Sequence, residues 1–122
     1  MAANNSIALT RKVVITSEKT IAKEDFIKKI LEITDGILLY LKNNGCKKLG
    51  HLKLISTTNG EDYLQISVVD TAKKPAIKGM LKKTFAKIKL TLNIIEFGVS
   101  KEDIVNKIDE ELKNIQDYFN SV

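Results

Sequence analysis

At 122 residues, 43% hydrophobic and 29% charged, the chain is long enough to form one domain with a core that needs neither disulfides nor metal. The single cysteine, Cys46, excludes an intramolecular disulfide and fits a reducing compartment. The start MAANNSIALTRK has no apolar leader and no apolar run approaches the roughly 18 residues of a membrane span, so a cytoplasmic location is expected.

The net charge of +5 is unevenly spread. Residues 42–95 hold eleven basic and three acidic groups, whereas residues 96–122 hold three and seven. Nineteen of the twenty basic residues are lysine, a point charge without the planar fork of arginine, which suits diffuse attraction better than base-specific recognition. An isoleucine- and asparagine-rich composition of this kind also favours lysine by itself.

Ile7, Leu9, Val13 and Ile15 alternate and predict a first strand from Ile7 to Thr16 with one covered face. A polar turn, Ser17 to Thr20, leads to a helix over Ala22–Asn44. Its apolar stripe is Phe26, Ile27, Ile30, Ile33, Ile37, Leu38 and Leu41, and Gly45 stands as the left-handed cap. Gly36 inside this helix costs roughly 1 kcal/mol relative to alanine, which points to close packing against the sheet, with a kink or helix break as the alternative.

Two strands follow, within Gly50–Val69. Asn59-Gly60 marks a hairpin, and a tight two-residue turn would set Leu54 against Gln65 and Leu52 against Ser67. A three-residue loop Thr58-Asn59-Gly60, with Gly60 left-handed in a bulge, instead pairs Leu54 with Leu64 and Leu52 with Ile66, and this register is the expected one. Leu52, Leu54, Leu64, Ile66 and Val68 then form a core row, and His51, Lys53, Ile55, Tyr63, Gln65 and Ser67 a mostly polar one.

Pro75 can open a short helix reaching Thr84, with Ile77, Met80 and Leu81 on its apolar side, although Gly79 weakens it and an ordered loop is the alternative. Ile88, Leu90, Leu92 and Ile94 alternate with Lys87, Lys89, Thr91 and Asn93 in a strand from Ala86 to Phe97. Ser100 caps the last helix, with Asp103 three residues on and Val99 positioned to staple onto Ile104. The buried stripe of that helix is Ile104, Val105, Ile108, Leu112, Ile115 and Phe119.

These elements predict an α+β fold. Its four-stranded, mostly antiparallel sheet carries both long helices on one face, in a ferredoxin-like open-faced sandwich of order β-α-β-β-β-α. The right-handed crossover rule places the third strand between the first two. The other face is then open and carries Lys53, Tyr63, Gln65, Ser67, Lys87, Lys89, Thr91 and Asn93.

Between Lys73 and Lys89 stand seven lysines and no acid, among them Lys82, Lys83, Lys87 and Lys89. Such a patch attracts phosphates or an acidic partner, or is simply a solvated basic face. A sheet that binds RNA by stacking needs two or three aromatics, and Tyr63 is the one good candidate on this face, so nucleic acid is the lesser reading. Cys46 and His51 are the two soft metal ligands of the chain, two short of a zinc site, and no metal or other cofactor is expected. No glycine-rich phosphate loop, nucleophile elbow or zinc-helix motif is present, no catalytic residue is assigned, and an enzyme is not expected. The candidate ligand- or partner-binding residues are His51, Lys53, Tyr63, Gln65, Lys82, Lys83, Lys87 and Lys89.

Gly50-His51-Leu52-Lys53, the following LISTTNGEDYLQISVVD and the later KIKLTLNIIEFGVS resemble the C-terminal accessory region of CobW-type GTP-binding proteins, over roughly Ile30 to Ser100. In those proteins a helix ends in a glycine turn before a GHIK-like strand and a hairpin. The GTPase activity of that family lies in a separate P-loop domain with a cysteine-rich metal motif, neither of which this chain contains, so no GTPase residue carries over. The resemblance implies an accessory domain that faces a partner or ligand beside a separately encoded cofactor-handling or GTP-binding protein. The expected partner is thus another protein or an anionic ligand, with no membrane involved.

Overall fold

The computed structural model describes residues 6–59 and 61–120. Five strands and two helices follow one another as β1 (Ser6–Ala22), α1 (Lys23–Asn43), β2 (Lys48–Thr57), β3 (Tyr63–Val68), β4 (Ala76–Met80), β5 (Thr84–Phe97) and α2 (Lys101–Asn120). They make one antiparallel sheet in the order β1-β5-β2-β3-β4.

The α+β class stands, but the sheet has five strands rather than four and the ferredoxin-like order is not the one adopted. The fifth strand comes from the segment read as a helix or loop. Ala76–Met80 pairs with β3, and Gly79 has φ +94°, which no helix accommodates. A Cβ at Gly79 would strike the Tyr63 carbonyl and ring, so Tyr63 lies directly over this glycine. The strand inserted between β1 and β2 is β5, not the third strand. Ile88, Leu90, Leu92 and Ile94 of β5 are completely buried, and only a central strand can bury such a row. The first strand also runs on to Ala22, taking in the expected polar turn as a shift in its pairing between Thr16 and Ile21.

The helices behave as their sequences dictate. Nothing side-chain caps the start of α1, but Glu24 and Asp25 sit in its first turn, where the helix dipole favours acids. At its end Gly45 is left-handed (φ +92°), and the Cys46 N–H donates to the Leu41 C=O at 3.0 Å, as a glycine-capped terminus requires. The α2 cap is as expected, with the Asp103 N–H donating to Ser100 Oγ at 3.2 Å. Gly36 faces Glu111 of α2, not the sheet, which corrects the reason given for it.

Between the layers lies a single core of the β5 row, Leu52 and Leu54, Leu64 and Ile66, and the stripes of both helices. Phe26 anchors one end, 5.7 Å edge-to-face from Phe85 and 5.9 Å from Phe119. Truncating any of these large buried side chains to alanine costs about 2–5 kcal/mol.

The hairpin keeps its faces and changes its register. Leu54 pairs with Ile66, Leu52 with Val68 and Ser56 with Leu64, two residues away from the expected pairing. A shift of two preserves which side chains point to the core. The loop between Thr57 and Tyr63 is therefore five residues long, and the side chain of Asp62 explains its width. Its carboxylate accepts from Thr58 Oγ1 at 2.6 Å, from the Asn59 N–H and from the Lys82 N–H at 3.3 Å, tying the loop to the start of the β4–β5 turn. Gly60, and with it the expected left-handed glycine, lies outside the described residues.

Candidate functional site

Both helices contact the face of the sheet that carries the β5 core row, so the alternate positions of every strand form an open face. Its layout follows from the pairing. One row across β1, β5, β2, β3 and β4 reads Thr10, Asn93, Lys53, Ser67, Ala76. The next reads Lys12, Thr91, Ile55, Gln65, Lys78, and the third Val14, Lys89, Thr57, Tyr63, Met80. Thr16 and Lys87 continue toward one end, and Ala8, Ile95 and His51 toward the other. Lys12, Lys48, Lys53, Lys78, Lys87 and Lys89 thus share this face, Lys48 opposite Phe97 at its far end, and none of the paired positions named carries a carboxylate. Among the described residues none of these lysines makes an ion pair.

Of the residues selected from sequence, Lys53, Gln65, Tyr63 and Lys89 come together across β5, β2 and β3, with Lys87 beyond Lys89. His51 is half-buried beside Ile95 at the far end of the same face. Lys82 and Lys83 are exposed in the turn between β4 and β5, where the Lys83 C=O accepts from the Lys23 N–H at 2.9 Å. Lys73 and Lys74 lie in the β3–β4 connection. The lysine-rich segment is therefore divided between two connections and two strands.

The GHLK stretch has a structural role of its own. Pairing is regular up to Leu49 opposite Glu96 and resumes at His51 opposite Ile95, leaving Gly50 as the extra residue of a bulge. A Cβ at Gly50 would come within 3.0 Å of the Ile95 carbonyl and side chain. The bulge resets the alternation, so Leu49 and Leu52 both face the core while His51 and Lys53 face outward.

Sequence reading overlooked four positions. Lys12, Lys48 and Lys78 belong to the open face, and the signal for Lys12 was its place on the polar parity of the first strand. Glu96 was the other: it continues the buried parity of Ile88 to Ile94 and is completely buried. Its Oε1 accepts from the Val99 N–H at 3.1 Å, fixing the turn into α2, while its Oε2 has no hydrogen-bond partner. Burial raises the Glu96 carboxyl above its ordinary value, against the Val99 and Cys46 contacts that favour its charge. Burial, then the charge of Glu96, raises the Cys46 thiol in turn. Among the described residues no three His, Cys, Asp or Glu side chains group as metal ligands do, and no helix is long and apolar enough to cross a membrane.

The open face can exert an electrostatic pull over a flat surface of threonine, asparagine, serine and glutamine hydrogen-bonding groups. A base-stacking platform is a different matter. Around Tyr63 the central strands β5 and β2 present Lys89, Thr91, Asn93, Lys53 and Ile55, none of them aromatic. Phe97 shares the face with Tyr63, but eight residues of β5 separate the row of Lys89 from Phe97, about 27 Å at strand rise.

No protein-family model and no curated protein matches the chain. Among solved structures it is similar to the zinc-bound YjiA GTPase from E. coli, with a TM-score of 0.41 and 14% identity over 83% of this chain. A triple mutant of the same zinc-bound GTPase gives the same values. The chain spans 29% of the length of either, so the reading below rests on its own residues.

Proposed function

We propose that the chain is a non-enzymatic interaction domain whose open sheet face docks an acidic surface of a partner protein in the cytoplasm. The observation that carries this reading is the set of six open-face lysines without a carboxylate at the positions paired with them. A field of one sign over a flat face attracts and orients a complementary surface, and the effect weakens as salt rises. Lys53, Gln65, Tyr63 and Lys89 form the centre of the contact, with His51, Lys87 and the Lys82–Lys83 turn around it. On the resemblance of its GHLK stretch, the partner class proposed is a separately encoded cofactor-handling or GTP-binding protein.

Titration with polyglutamate, single-stranded RNA and GTP at low and moderate salt tests the reading. Polyglutamate is expected to bind at low salt and to weaken steeply at moderate salt, with RNA no tighter per charge and GTP not measurably bound. RNA binding that exceeds polyglutamate and falls on Tyr63→Ala would replace this reading with the nucleic-acid one. Absence of any anion binding at low salt would remove both.

A further inference from the structure

The two edges of the sheet are finished differently. Along β1, Gln116 Nε2 of α2 donates to the Val14 C=O at 3.0 Å and Arg11 pairs with Asp109 at 3.0 Å, so the last helix holds that edge. At the other edge every residue of β4 is exposed, including Ile77 at 51% and Met80 at 73%. The core ends one strand earlier, since Leu64 and Ile66 of β3, which pair with Gly79 and Ile77, are buried. An edge strand presents main-chain donors and acceptors on its free side, the condition for adding another strand.

Next to this edge, a groove of about 290 Å³ runs between α1 and the β3–β4 connection, lined by Leu38, Leu39, Lys42, Lys73, Lys74 and one carboxylate, Asp35, among others. Leu39 is 58% exposed there. The edge and its flanks thus combine exposed aliphatic side chains with Lys73, Lys74, Lys78, Lys82 and Lys83, five lysines beside two carboxylates, Asp35 in the groove and Asp62 at the Lys82 N–H.

We infer that the β4 edge takes an extended segment of a partner protein as a sixth strand, and that the segment alternates acidic with aliphatic residues. Its aliphatic side chains lie beside Ile77 and toward Leu39, and its carboxylates meet the flanking lysines. A second copy of this chain is the wrong occupant, because pairing β4 with itself would bring together two edges each carrying Lys78 and flanked by Lys73, Lys74, Lys82 and Lys83, like charge against like. The left-handed Gly79 limits the regular edge to Ala76–Lys78, so main-chain bonds fix the register and charge supplies much of the affinity. This inference concerns a surface separate from the centre of the open face and stands without that reading.

The test uses the full chain and an eight-residue peptide alternating glutamate with valine, beside the same peptide N-methylated at alternate amides. Anisotropy at low salt is expected to show the plain peptide binding at least tenfold tighter than the methylated one. Amides within Ala76–Met80 should gain exchange protection. Ile77→Lys, at an exposed position that leaves the fold intact, should abolish this preference, whereas Lys53→Glu with Lys89→Glu should preserve it while losing polyglutamate. Equal binding of the two peptides, or loss on the Lys53 and Lys89 reversal but not on Ile77→Lys, overturns the inference. Protection of Ala76–Met80 that rises with protein concentration and needs no peptide overturns it in favour of self-association.

Discussion

On α2, Lys107 reaches Glu110 and Glu111 at 3.2 and 2.9 Å and Lys113 reaches Asp117 at 2.8 Å. On the open sheet Lys12, Lys48, Lys53, Lys78, Lys87 and Lys89 have no such neighbour among the described residues. Geometry explains part of the contrast. A helix brings residues three and four apart onto one face, so an acidic segment with a few lysines neutralises itself within the element. A strand offers only its cross-strand partners, and those of Lys12, Lys53, Lys78 and Lys89 are Thr91, Asn93, Ser67, Gln65, Val14 and Thr57. A lysine-rich composition accounts for lysine on both faces. It does not account for the absence of acids from the paired positions of the open sheet. The lysines on the sheet stay unpaired among the described residues, and that difference can be broken experimentally.

The largest effect belongs to charge reversal. Lys53→Glu with Lys89→Glu is expected to weaken polyglutamate binding at least tenfold, about 1.4 kcal/mol, with little change in melting temperature. Lys113→Glu on α2 should leave affinity within twofold, since that lysine already belongs to Asp117. If both reversals weaken binding alike, the two faces do not differ as described and only total charge matters.

Next come two carboxyl groups whose environments push them in opposite directions. Glu96 is raised above 4.5 by burial, so its contribution to stability is full below 4.5 and is lost as pH rises through the raised value. Glu96→Gln should remove that slope from urea melts taken across the window. Because the Glu96 charge also raises the Cys46 thiol, the same variant should be alkylated faster at Cys46 at a fixed alkaline pH. Asp62 is the reverse case. Its partial burial would raise it, but the Thr58 hydroxyl and the Lys82 and Asn59 N–H groups outweigh that and lower it below 3.8. Its contribution is present above 3.8 and is lost as pH falls through the lowered value, so Asp62→Asn should flatten the acid limb of the profile and leave the upper limb unchanged.

What the sequence could and could not disclose follows the range of the interactions. Local periodicity placed both long helices, the Ser100 and Gly45 caps and the two faces of the hairpin, because each depends on neighbours within a few residues. The break in alternation from Leu49 to Leu52 was already visible as two apolar residues out of phase, and Gly50 between them is where the bulge occurs. Beyond that range the reading failed in identifiable ways. Ile77, Met80 and Leu81 suit a helical stripe as well as a strand, and only pairing with β3 makes β4 a strand. The hairpin register turned on Asp62, whose three donors include one from Lys82, twenty residues away. The position of β5 at the centre of the sheet was decided by which strand buries most. Of the candidate site, the β2, β3 and β5 residues were found by parity, whereas Lys12 and Lys78 required knowing that β1 and β4 complete the face.

The smallest expected effect concerns the contact that crosses from one face of the comparison to the other. Arg11 leaves β1 on the helix side, and its Nε donates to Asp109 Oδ1 of α2 at 3.0 Å, with both side chains substantially exposed. It is the one ion pair among the described residues that joins the sheet to the acidic helix. Exposed pairs of this kind contribute about 0.2–1 kcal/mol, because water screens the attraction and two long side chains must be held in place. A double-mutant cycle of Arg11→Ala and Asp109→Ala, read by urea unfolding, should return a coupling energy in that range that shrinks at high salt. A coupling well above it would mean that α2 is held on the sheet by charge as much as by Ile104, Ile108, Leu112 and Ile115. In that event the acidic helix would serve to offset the basic sheet from within, and less of the sheet's charge would remain for a partner.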